Sequence, residues 1–117
     1  ARDFNAYGDV RVYDWLSAEW QTWLGKAELI VNTTPLGMTP RVDDMPPLEW
    51  SRLRPGAFIY DVIYTPTKTK FLQEAEKRQH PILNGEAMLV QQGAASFRLW
   101  TGETPDTELM QEVLRKE

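Results

Sequence analysis

The chain has 117 residues, 42% of them apolar, and a net charge of −4. That length bounds one domain with a modest core, and an acidic balance with no Lys/Arg cluster excludes a nucleic-acid surface, which works by neutralising phosphates. Cysteine is absent, which removes disulfides and thiolate metal sites, and no apolar run nears the roughly 18 residues of a membrane helix.

Residues 1–8, Ala1 to Gly8, read as the tail of a helix closed by a C′ glycine. There is no initiator Met and no signal-peptide pattern, so the chain is expected to begin inside an element of something longer, in a cytoplasmic protein. Residues 9–13 alternate Val10 and Val12 against Arg11, the pattern of a short strand near an edge. Ser17 can cap a short helix carrying Trp20, Trp23 and Leu24, ended by Gly25. Leu29-Ile30-Val31 predicts a buried strand ending at Asn32. Two prolines and a glycine make residues 33–40 a loop, and 43–55 is a ragged connection with room for one helical turn.

The stretch 57–64 is the strongest strand signal, nearly continuous in apolar and β-favouring residues, as in a parallel strand buried on both faces. Pro66 ends it. Thr67 is positioned to cap the next helix, with Phe71, Leu72 and Ala75 on its apolar face and Glu74 paired to Arg78 at i,i+4. Residues 80–83 form a short strand broken off at Asn84-Gly85. Residues 86–100 predict a helix apolar nearly all round, hence packed against more than one neighbour, ended by Gly102. Thr104 caps a last amphipathic helix with Pro105 at its first position, carrying Leu109, Met110, Val113 and Leu114. Strands alternating with helices imply an α/β fold. The expectation is one domain, 1–117, with a partial Rossmann-like doubly wound sheet of about four mostly parallel strands and C-terminal helices.

Three segments then end at one rim of the sheet: 32–38, 61–69 and 84–92. Ligands of open α/β sheets sit outside the carboxyl ends of the strands. Asn32 suits either a turn-starting acceptor or a ligand contact. Tyr64 suits a ring shelved on the core with a wet hydroxyl, or a site residue. Asp61 is a carboxylate inside an apolar strand, rare unless its oxygens are satisfied, and the Thr34 region or loop amides could supply donors. Gln92 shares a helical stripe with Gly85, Met88 and Ser96, and its amide can donate to and accept from a polyol. Gln91, about 100° away, is the alternative. His80 reads as a surface histidine, and no His/Cys/Asp/Glu spacing calls for a metal.

These residues resemble a known family. Val31-Asn32-Thr33-Thr34-Pro35-Leu36-Gly37-Met38, then Asp61-Val62-Ile63-Tyr64 with Pro66 and Thr69, then Gly85 with Met88-Leu89-Val90-Gln91-Gln92-Gly93-Ala94, are similar to the nucleotide-domain half of shikimate dehydrogenase. That family reduces 3-dehydroshikimate to shikimate with NADPH, in aromatic amino-acid biosynthesis. By the resemblance Tyr64 and Gln92 match substrate-contacting positions, and Val62 and Gly85 match positions lining the nicotinamide end of NADP. Asn32, Thr33, Thr34, Pro35 and Leu36 would border the cofactor. The family's substrate domain with its catalytic Lys and Asp, its Gly-rich turn and its basic 2′-phosphate segment have no counterpart in the sequence. Lys68 and Lys70 do not occupy the catalytic positions. The resemblance therefore implies a parent oxidoreductase, and a chain that by itself holds no catalytic residue and binds NADP weakly at best.

Two other classes compete. In a receiver-type signalling module, Asp61 would accept a phosphoryl group beside Asp43-Asp44. In a non-catalytic partner-binding fragment, uncovered apolar surface would drive self-association.

Overall fold

The computed structural model describes residues 2–116. A parallel sheet of three strands runs through it in the order β1 (Leu29–Asn32), β2 (Phe58–Asp61), β3 (Ile82–Leu83). Ile30 lies opposite Ile59, Asn32 opposite Asp61, and Ile59 opposite Ile82. Helix α1 (Ala18–Leu24) precedes β1, α2 (Lys70–Lys77) joins β2 to β3, and α3 (Glu86–Thr101) and α4 (Thr107–Lys116) follow. The long β1–β2 connection holds a single 3-10 turn, Trp50–Arg52.

Local chemistry sets these boundaries. Ser17 accepts the Trp20 amide at the start of α1, the N-cap bond that satisfies an orphan donor. Helix α2 is capped by Thr69, which accepts the Leu72 amide, and not by Thr67. The Thr67 carbonyl is held by the Asn84 amide at 2.9 Å, which keeps that residue in the loop. Helix α4 starts later than its Thr104-Pro105 signal suggests, because Asp106 takes the Leu109 amide at 3.1 Å. Gly102 ends α3 in the left-handed region at φ 73°.

One face of the sheet is covered. Ile59 packs with Leu24, Leu53, Phe71, Leu72 and Ala75, and Ile30, Ile82 and Trp50 border this cluster. Trp50 sits tilted on Phe71 with ring centroids 5.6 Å apart. The alternate residues point the other way: Leu29 is 56% exposed, Val31 40% and Leu83 46%. Strands expected to be buried on both faces are buried on one, because α1 and α2 serve the same side while α3 pairs with α4.

Several other expectations are corrected. Residues 9–13 are not a strand. A strand exists only through a ladder partner, and in this chain Arg11 instead pairs with Asp9 at 2.8 Å and lies over the Trp23 ring. The sheet thus has three strands and not about four. Residues 2–4 form a 3-10 turn and not a helix tail, and Ala1 lies outside the described residues. His80 is buried: its Nδ1 donates to the Ala57 carbonyl at 3.0 Å, and its ring flanks Trp50. Helix α3 buries only Val90 and Ala94 fully, leaving Met88, Phe97, Leu99 and Trp100 exposed.

The i,i+4 pair of α2 is formed, with Arg78 2.7 Å from Glu74 and Lys77 also in reach. Hydrogen bonds from Arg78, then Lys77, hold the Glu74 carboxyl below its ordinary value. A depressed folded-state value gives stability that is present above the unfolded value and lost as pH falls through the folded one. The pair is exposed and screened, so the effect is small. Glu74→Gln should melt slightly below the parent at neutral pH and low salt, and the gap should close as pH falls through the carboxylate range. Thermal melts across that range check it.

Candidate functional site

Strands β1 and β2 end side by side, at Asn32 and Asp61. Asp61 is 0% exposed and Asn32 3%, so their polar atoms must find partners inside the protein. Asp61 Oδ1 accepts from Asn32 Nδ2 at 3.3 Å and from the Ile63 amide at 3.1 Å. Its Oδ2 accepts from the Thr69 hydroxyl at 2.7 Å. Asn32 Oδ1 accepts both the amide and the hydroxyl of Thr34, at 3.0 and 2.6 Å, and its Nδ2 also reaches the Leu36 carbonyl at 3.3 Å. The loop after β1, the exit of β2 and the start of α2 therefore meet on one carboxylate. Of the donors anticipated from sequence, the loop amide is there in Ile63, while Thr34 reaches the carboxylate only through Asn32, and Thr69 was not foreseen. A Thr just before a helix start is a capping signal, and reading it at Thr69 would have found this partner. Burial this complete also leaves Asp61 no access for the phosphoryl transfer of a receiver module.

Above this network the two loops enclose a cavity of about 580 Å³. Thr33, Thr34, Pro35, Met38 and Thr39 form one wall, and Val62, Ile63, Tyr64 and Thr65 the other. The first wall is shaped by a turn in which the Met38 amide donates to the Pro35 carbonyl at 3.1 Å. Its third residue, Gly37, has φ 97°, a conformation in which a side chain is strained. The Thr39–Pro40 and Thr65–Pro66 peptide bonds are both cis. Among the described residues no Lys or Arg lines the cavity, and Lys68 pairs with Glu76 at 3.0 Å instead.

The third segment arrives from β3. The Gly85 amide donates to the Ile63 carbonyl at 3.0 Å, and Asn84 holds the Thr67 carbonyl on one side and the Glu86 amide on the other. Gly85 is buried, and a Cβ added there would overlap the carbonyl carbon and oxygen of Val62. Only glycine lets the two chains approach so closely.

Of the residues singled out from sequence, Thr33, Thr34, Pro35, Val62 and Tyr64 line this cavity together. Asn32 shapes it from beneath with a side chain already engaged, Leu36 is half-buried beside it, and Gly85 backs Val62. Gln92 lies elsewhere. It lines a separate groove of about 470 Å³ between α3 and α4, with Leu89, Gly93, Met110 and Val113. Seven residues separate it from Gly85, about 10 Å of helix rise, so sharing a stripe with the rim does not bring it into the Tyr64 cavity. Gln91 and Gln92 are both exposed. Met38, Ile63 and Thr65 lie within the rim segments read from sequence without having been singled out, and Thr39 lies just outside them, because loop conformation and not periodicity brings them in.

Comparison with known proteins gives a consistent picture. Residues 85–115 match the profile of a family described as the shikimate 5′-dehydrogenase C-terminal domain. The chain is 45% identical over 108 residues to the shikimate dehydrogenase (NADP(+)) of Geobacillus kaustophilus, covering 92% of this chain and 39% of that protein. It is 47% identical over 91 residues to that of Moorella thermoacetica, covering 77% and 30%. Among solved structures, it superposes with a TM-score of 0.86 and 29% identity on the Listeria monocytogenes shikimate 5-dehydrogenase in complex with shikimate and NAD, covering 97% of this chain and 40% of that one. The Thermus thermophilus enzyme in complex with NADP(H) and shikimate gives a TM-score of 0.72 at 34% identity, covering 82% and 36%. The chain thus spans about two fifths, or less, of the length of these relatives.

Proposed function

Because this chain belongs to the shikimate dehydrogenase family, matching its C-terminal part, we propose that it supplies the nucleotide-domain portion of an NADP-dependent shikimate dehydrogenase. The activity is the interconversion of 3-dehydroshikimate and shikimate. The observation that carries this reading is the convergence of two strand-end segments, 33–39 and 62–65, around one cavity at the carboxyl edge of a parallel sheet, with Gly85 packed behind the second.

The residues suit one end of the cofactor better than the other. Pro35, Met38, Val62 and Ile63 offer an apolar surface for a flat ring such as nicotinamide. Bound there, the cofactor supplies the hydride exchange. Thr33 and Tyr64 are among the lining residues, and their hydroxyls can meet ribose and substrate hydroxyls, whereas the Thr34 hydroxyl is engaged by Asn32 and the Leu36 amide. No cationic side chain in the cavity answers a diphosphate, so most phosphate affinity must come from groups other than these. Gln92, on exposed α3, reaches substrate only across the cleft from a second domain.

By themselves the 117 residues should bind NADPH more weakly than micromolar and turn over no shikimate. Titration calorimetry and an NADP reduction assay check this. Micromolar affinity or measurable turnover would refute the division of labour between this portion and a catalytic domain. In a protein that carries this chain and is active, Tyr64→Phe should lower kcat/KM about tenfold, the value of one hydrogen bond of about 1.4 kcal/mol. The open sheet face of Leu29, Val31, Phe58 and Leu83 also favours self-association of the isolated chain. Light scattering should show the mean mass rising with concentration, and a constant monomer mass would contradict it.

A further inference from the structure

We propose that Asp61 is a positioning residue: its carboxylate, which does not itself line the cavity, fixes the two cavity walls relative to each other. The walls come from different strands, and main-chain bonds join them at Val62 N to Asn32 O (3.2 Å) and at Thr39 N to Thr65 O (3.3 Å). Between those points the connection runs through side chains. From Oδ1 a relay passes through Asn32 and the Thr34 hydroxyl to the Leu36 amide, and a second contact fixes the Ile63 amide next to Tyr64. From Oδ2 the bond to Thr69 carries on to the Leu72 amide and locks the start of α2.

Chemistry makes this arrangement one-directional. An ionised carboxylate only accepts, so each partner has to turn a donor toward it, and each donor belongs to a different part of the site. No Lys, Arg or His is among the partners. Burying a carboxylate without a cation is costly. Helix capping alone does not require it, since the Thr69 hydroxyl performs that task. What the carboxylate adds is a common anchor beneath both walls.

Thr69→Val and Asp61→Asn test this, with Thr69→Ser as the conservative variant. Valine keeps the methyl that packs beside Gly37 while deleting the hydroxyl. Amide hydrogen exchange on the full chain should rise about tenfold at Thr34, Leu36 and Ile63 in both variants, with Ile59 in the sheet unchanged. Thr69→Ser should stay within about twofold of the parent. An increase confined to residues 62–72, with Thr34 and Leu36 at parental rates, would overturn the role.

A kinetic arm rests on the functional reading above and uses an active protein carrying this chain. There Asp61→Asn should raise KM for NADP about tenfold while kcat changes less than about threefold. Loosened loops with an unchanged KM would also overturn the role. Absence of shikimate turnover in the parent would retire the functional reading and leave the exchange pattern to decide the positioning role.

Discussion

Gly85→Ala should destabilise the protein by about 3 kcal/mol or more, at the upper end of small-to-large substitutions. For a domain of this size that lowers the melting midpoint by upwards of about 10 °C. The cause is steric and not conformational. Gly85 has φ −84° and ψ 2°, angles that alanine adopts freely. The new methyl, however, would overlap the Val62 carbonyl, which is main chain and cannot rotate aside. Either the exit of β2 or the start of α3 must move, and the bond from the Gly85 amide to the Ile63 carbonyl goes with it. Val62 lines the cavity, so a variant that survives by moving β2 should also lose cofactor affinity. Gly8→Ala is the control, because nothing lies within 4 Å of a Cβ there. Scanning calorimetry of the two side by side gives the answer, and a Gly85→Ala midpoint within about 2 °C of the parent would contradict the contact.

What was legible in the sequence, and what was not, divides along a physical line. Residues 70–77 could be read because a helix advertises its buried stripe: Phe71, Leu72 and Ala75 are spaced for one face and are all buried. The parallel order could be read because long crossovers separate the strands, a ragged connection between β1 and β2 and helix α2 between β2 and β3. Residues 9–13 misled because alternation in Val10 and Val12 is local, whereas a strand depends on a neighbour that sequence periodicity does not report. Leu29 and Val31 misled for the same reason in reverse: their apolar character calls for a cover, yet among the described residues no helix lies over them. At the site, Asp61 stood out as a charge inside an apolar strand, Asn32 and Tyr64 by their place at strand ends, and Gly85 through the family resemblance. Thr69 did not, because a threonine before a helix is ordinary until its hydroxyl is seen on a buried carboxylate. Gln92 carried a correct helix and a correct stripe, but the distance along the axis decides which hollow a stripe residue enters.

The second large effect is expected at Asp61. Replacing it with alanine removes the acceptor for the Ile63 amide, the Thr69 hydroxyl and one bond of Asn32 Nδ2, all at buried residues. Each orphaned buried donor costs about 1–3 kcal/mol. An opposing term exists, since the substitution also removes a carboxylate buried without a cation. The three donors already offset much of that penalty in the parent, so the lost bonds should win, with a net cost of about 3–5 kcal/mol. Asp61→Asn separates the two terms. It keeps one oxygen acceptor, but the Nδ2 that replaces Oδ2 faces the Thr69 hydroxyl, which donates there and already accepts from Leu72, so the amide must tilt and its Oδ1 contacts to Asn32 and Ile63 loosen without being lost. Its cost should be about 1–2 kcal/mol. Urea unfolding of both variants measures the ratio. Equal losses would mean that the negative charge, and not the placement of its oxygens, holds the loops together, whereas a neutral alanine variant would dismiss the network as a stabilising element. The expected order, alanine well below asparagine and asparagine modestly below the parent, is the one that follows if the carboxylate works as a fixed acceptor for donors drawn from both walls of the cleft.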